Sequence, residues 1–249
     1  MGMITFNGVS SATYGINIWS APNYELPEKD QEIYHVPGRS GDLIVDYGSW
    51  KNVKRTYTVS LGSDNASFPA LARTLSTWLN SAHANGYARL EDSYESDCYR
   101  MARFSGGIEI ANILDHAAMA TISFDCKPQR FLLSGETELT VGNNGQVNNA
   151  TLFVANPTIK VRGNTSGTRW IQLTSVLNSS ISYRVEFSEL STNSDLVING
   201  EMQECYVGTT SKNSTVTMSN GFPKIHPGGM TLTYSGVTSV KVVPNLWVL

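Results

Sequence analysis

The sequence predicts a mainly β protein in two parts, an α+β unit with one helix followed by an all-β sandwich. Three observations carry that expectation. Period-2 alternation recurs along the chain, helical periodicity occurs once, and the composition changes near residue 134.

The elements follow in order. Ile4-Thr5-Phe6 leads into Asn7-Gly8, a favoured hairpin dipeptide, and residues 14–19 read as a second strand. Pro22 to Asp30 is polar, holds two prolines and predicts an exposed loop. Pro37-Gly38 is a tight turn, because proline presets φ and glycine supplies a left-handed position. It opens the glycine-punctuated stretch Arg39-Ser40-Gly41-Asp42, which feeds the apolar run Leu43-Ile44-Val45 and an expected bend at Asp46-Tyr47-Gly48. Val53, Arg55, Tyr57, Val59 and Leu61 then fall on one face of a strand. Phe68, Leu71, Leu75, Trp78, Leu79 and Ala82 recur at three- and four-residue spacing and predict the helix. Ser67 is placed to N-cap it, Pro69 suits its first turn, and Asn85-Gly86 suits its end. Further strands are expected at about 87–90, 99–104, 107–113 and 117–124.

Beyond Leu133 the chain changes character. Ser, Thr and Asn make up 41 of the last 116 residues against 29 of the first 133, and charged residues fall from 25 to 14. The domains are therefore expected at 1–133 and 134–249. The second part is a series of short alternating runs separated by Asn144-Gly145, Asn199-Gly200 and Asn220-Gly221, which predicts a β-sandwich or jelly roll.

Composition also excludes function classes. A net charge of −3 without a basic run argues against sequence-specific or phosphate-driven nucleic-acid binding. No apolar stretch approaches the ~20 residues that span a bilayer, and the opening MGMITFNGVS lacks the basic-then-apolar plan of a signal peptide. Cys98, Cys126 and Cys205 lie far apart, so neither a disulfide framework nor a zinc ribbon is indicated, and folding in a reducing cytoplasm is expected. The four histidines, His35, His83, His116 and His226, have no His or Cys at ligand spacing. Ser40 lies in G-R-S-G, which is not the nucleophile elbow. The acidic run Glu91 to Asp97 lacks the spacing of a calcium loop and reads as a solvated hairpin tip. These readings predict no enzyme, no metal and no cofactor. Trp170, Tyr183, Tyr206, Tyr234 and Trp247 belong to a sandwich core or to a sugar-stacking face, with Trp170 as the sugar-contact candidate.

Three segments carry a resemblance. His35-Val36-Pro37-Gly38-Arg39-Ser40-Gly41-Asp42-Leu43, with Asp46-Tyr47-Gly48-Ser49-Trp50-Lys51-Asn52, is the first. Phe124-Asp125-Cys126-Lys127-Pro128-Gln129-Arg130-Phe131-Leu132 is the second. The third runs from Asn156-Pro157 through Leu196-Val197-Ile198-Asn199, Gly221-Phe222-Pro223-Lys224-Ile225 and His226-Pro227-Gly228-Gly229-Met230 to Val243-Pro244-Asn245-Leu246-Trp247. In this order they resemble the distal tail protein (Dit) family of long, non-contractile-tailed bacteriophages, departing from its pattern at Met230 and in the spacing of Trp247 from Pro244.

The resemblance implies a structural virion protein assembled in the host cytoplasm. An N-terminal belt domain would form a homohexameric ring at the tail tip, enclosing part of the DNA-ejection channel. The tail tube protein would lie above it and a tail-associated lysin or tip protein below. The C-terminal domain would be a galectin-like β-sandwich that docks receptor-binding or baseplate proteins. Arg39 and Asp42 then suit charge-assisted contacts, within their loop or across to the next subunit, and with Asp46 and Trp50 they are the candidate assembly residues. The alternative is a carbohydrate-binding module of the tail tip that contacts the host cell wall.

Overall fold

The computed structural model describes residues 2–62, 68–81, 86–106, 110–114, 117–163 and 167–249. It divides into two compact units, one spanning residues 1–130 and the other Phe131–Val248.

In the first unit the strands run, in sheet order, Val9–Ser10, Ile4–Phe6, Ala88–Asp92, Cys98–Phe104, Ala117–Leu132, Val53–Gly62 and Ile16–Ile18. The sheet curls back on itself, because Gly2 bridges Ile18 and receives its amide hydrogen bond at 2.8 Å. Asn7 and Gly8 both have positive φ, 51° and 77°, as the predicted two-residue hairpin turn requires. Residues 14–19 are not one strand. Ser11–Tyr14 forms a 3-10 turn that ends on Gly15 in the left-handed region, and only Ile16–Ile18 is extended. The helix covers Phe68–Leu79. Its Leu71, Leu75, Trp78 and Leu79 pack against Phe6, Ile16, Tyr57, Ile122 and Phe124 of the sheet. Each such side chain, fully buried, contributes about 1.5–3 kcal/mol. The Trp78 indole donates to the Phe6 carbonyl at 3.1 Å, which satisfies the one polar atom this face buries. The expected caps at Ser67 and Asn85, and the helix position at Ala82, lie outside the described residues.

The alternation in Val53–Gly62 aims Arg55 inward with Val53, Tyr57, Val59 and Leu61. An inward charge needs a partner. Asp92 supplies it, accepting from Arg55 Nη2 at 2.9 Å and from the Tyr57 hydroxyl at 2.7 Å. Burial opposes ionisation of Asp92, yet the Tyr57 hydroxyl and the Arg55 guanidinium hold its carboxyl below the usual range. Glu95 lies beside it, within 3.1–3.4 Å of Arg55, Arg100 and Arg130. The Glu91–Asp97 run is therefore not a solvated tip. Two of its four carboxylates turn inward to neutralise arginines that the strands place in the core.

The second unit is a sandwich of two antiparallel sheets. One runs Leu139–Thr140, Val237–Val243, Thr158–Gly163, Leu196–Asn199, Glu204–Val207 and Thr210–Ser211. The other runs Gly145–Val147, Met230–Ser235, Arg169–Ser175, Ser182–Phe187 and Val216–Ser219. Ile159, Val161, Ile198 and Val242 of the first sheet share a core with Ile171, Leu173, Val185 and Leu232 of the second. Tyr183 is buried in this core, and Tyr234 and Trp247 pack against it. Trp247 stacks on Phe153 at 4.4 Å and donates to the Val154 carbonyl at 3.0 Å. Trp170 instead sits on the outward register of its strand.

Candidate assembly surface

Between Ile16–Ile18 and Val53–Gly62 the chain forms a separate two-stranded hairpin, Lys29–Tyr34 paired with Leu43–Trp50. From sequence the first of these strands reads as the end of a loop, and the second as an apolar run stopped by a bend. Both differences have one cause. Asp30 pairs with Ser49 but Gln31 pairs with Asp46, so Tyr47 and Gly48 are extra residues in one strand. Gly48 takes φ 74°, and the expected bend is absorbed as a β-bulge inside a continuous strand. The tip is the predicted turn: Gly38 and Gly41 have φ 82° and 83°, and the Arg39 amide donates to the Val36 carbonyl at 3.2 Å.

Polar contacts within the hairpin tie its two strands and its tip together. Asp46 accepts from Lys29 Nζ at 2.7 Å and from the Gly48 amide at 2.8 Å, and these bonds, Lys29 first, keep its carboxyl below the usual carboxylate range. Glu32 accepts from the Tyr34 hydroxyl, which with a second bond from Tyr47 holds it low as well. At the tip His35 Nδ1 lies 3.2 Å from Asp42 Oδ1. Trp50 is half-buried at the base, with Lys29 Nζ 5.8 Å from its ring centroid.

The four predicted assembly residues therefore divide. Asp46 and Trp50 meet around Lys29 at the base, while Arg39 and Asp42 lie at the tip. Asp42 makes its contact within the loop, to His35. Arg39 is exposed and has no ion-pair partner among the described residues.

The apolar side chains of this hairpin carry a signal that the motif does not contain. Directly opposed residues share a face. Ile33 and Ile44 are opposed on one face and are each 58% exposed. Tyr34 and Leu43 are opposed on the other, which also carries Val45, and Tyr47 is 55% exposed at the bulge. Trp19, Tyr24 and Leu26, in the segment leading to the hairpin, are exposed as well. Large exposed apolar patches are uncommon on monomeric proteins, and exposed apolar groups gathered on one hairpin point to an interaction surface. Its unpaired strand edges add a second, directional means of contact.

No protein-family profile and no curated protein sequence matches the chain. Solved structures do. The Dit protein of phage SPP1, described as a paradigm of the hub adsorption apparatus in phages infecting Gram-positive hosts, superposes with a TM-score of 0.76 over 100% of both chains at 14% identity. A chain of the phage p2 baseplate, in its activated conformation with strontium, gives 0.54 at 9% identity over 97% of this chain and 96% of that one. The calcium-bound form of that baseplate gives 0.53. At such identities the likeness is one of fold, and over its whole length this chain has the mainly β fold of a phage Dit hub protein.

Proposed function

We propose that the chain is a structural subunit of a phage tail tip, a hub that closes into a homohexameric ring between the tail tube and the tip or baseplate proteins. The observation that carries this reading is the hairpin Lys29–Trp50, cross-linked by its own polar contacts and bearing exposed apolar side chains on both faces. A single flat contact covers one face of a ribbon. Covering two requires the hairpin to lie between surfaces, as a clasp does when one subunit reaches onto the next. Such a contact is heterologous, joining unlike patches, and a heterologous contact that closes makes a ring. The full-length likeness to hub and baseplate chains supports the same role.

In this reading the genome crosses the ring without sequence-specific contact, a tail-associated lysin or tip protein attaches below, and the second unit docks receptor-binding or baseplate proteins. The chain supplies assembly surfaces and no catalysis. Mass photometry of the purified protein tests the ring: a hexamer, or a multiple of it, is expected at micromolar concentration. A strictly monomeric species under those conditions overturns the proposal.

A further inference from the structure

The outward face of the five-stranded sheet has a composition unlike the hairpin. Cross-strand register places Trp170 opposite Glu186, Gln172 opposite Arg184 and Thr233, and Thr174 opposite Thr231. Thr217 and Ser219 continue the face on the next strand. Most outward positions carry a hydroxyl or an amide, and Trp170 is the aromatic member of the face. The Arg184 guanidinium lies 4.1 Å from the Trp170 ring centroid while its Nε donates to Glu186 Oε1 at 2.7 Å. Ring contact and hydrogen bond together hold the guanidinium over the indole, which lowers the side-chain entropy lost on binding. Nη1 and Nη2 of Arg184 and Oε2 of Glu186 have no hydrogen-bond partner among the described residues. Those atoms form a donor pair beside an acceptor.

We propose that this face is a saccharide platform, on which Arg184 and Glu186 engage vicinal hydroxyls of a neutral glycan beside Trp170. The chemistry selects that occupant. The Arg184 charge is balanced by Glu186, so a polyanion such as nucleic acid finds no net attraction. A protein partner needs apolar anchors at the centre of its interface, and this face offers one aromatic among hydroxyls. A polyol presents donors and acceptors on every carbon together with an apolar C–H face, and matches both halves of the set. Strands ~4.8 Å apart repeat the hydroxyl rows at a spacing close to one sugar ring, so the platform extends over several rings of a chain.

This inference stands apart from the ring reading, because it uses the other unit. The test is the full-length protein on an array of neutral and acidic oligosaccharides, followed by calorimetric titration of the best neutral oligosaccharide. Binding is expected, with affinity reduced at least tenfold in Arg184→Ala and Trp170→Ala. Glu186→Gln, which replaces one oxygen and keeps the shape, is expected to lose a similar amount without any change in thermal stability. Lys160→Ala, on the opposite sheet, is expected to bind normally. A blank array, binding confined to acidic glycans, or full affinity in Glu186→Gln each overturns the proposal.

Discussion

Among single residues, two charged side chains show how differently one residue type is used in this molecule. Arg55 is inward-facing, almost fully buried and answered by Asp92 and Glu95. Removing one partner of such a pair leaves a buried charge uncompensated, at a cost of about 3–5 kcal/mol. Asp92→Ala is therefore expected to lower unfolding free energy by about 3 kcal/mol in urea titration. Asp92 also sets a pH dependence. Its folded carboxyl titrates below the usual carboxylate range, so in mild acid the unfolded chain takes up protons that the folded chain refuses. Its stabilisation is present above pH ~4 and is lost as pH falls through the lowered folded value. Melting curves in acid should show this slope, and Asp92→Asn should flatten it. Arg39 is the opposite case, an exposed cation on a turn with no ion-pair partner among the described residues. Arg39→Ala is expected to leave the melting temperature unchanged and to weaken assembly, read by light scattering after size exclusion. Normal assembly in that variant would reduce the tip to a turn. Burial raises the three thiols, Cys98 and Cys205 to about 11 and Cys126 to about 12. They should resist a thiol reagent at pH 8 in the folded protein and react fully once it is unfolded.

For elements, the contrast is between strands that bury a face and strands that do not. Val53–Gly62 has the clean alternation of a half-buried strand because one side meets the helix and the curled sheet. Lys29–Tyr34 and Leu43–Trp50 have apolar residues on both sides and no alternation, because neither side is covered by the described residues. A ribbon of this kind is a poor folding unit by itself and depends on its internal bonds and on what it meets. Ile33→Lys with Ile44→Lys places two charges on one face while leaving the strand pairing intact. The expected outcome is a folded, soluble monomer with an unchanged circular dichroism spectrum. A double variant that still forms rings would remove the hairpin from the interface.

At the scale of the whole molecule, the two units present surfaces of different chemistry. The first carries exposed apolar groups on a hairpin, and the second carries hydroxyls and one aromatic on a flat sheet face. Apolar area drives association with a fitted protein surface, whereas hydroxyl-rich faces give up little water unless the ligand returns every hydrogen bond. The division fits a hub in which one unit builds the particle and the other meets its surroundings.

Most of this architecture was legible in the sequence. The period of the apolar residues determined the strands, the helix and the sandwich, since a side chain that must be buried leaves its spacing in the chain. The positive-φ turn at Asn7-Gly8 and the tip glycines were legible for the same local reason, as only a few residues adopt that backbone. What only the tertiary structure decided lies between segments distant in sequence. Asp92 and Glu95 turned inward because a strand remote from them had already placed Arg55 in the core. The hairpin was hidden because its pattern answers to no surface of its own chain, and its bulge moved two residues out of register where composition predicted a bend. Local spacing records what a residue does for its own element. Partners separated by tens of residues are chosen by the fold, and Arg39 is left without one among the described residues.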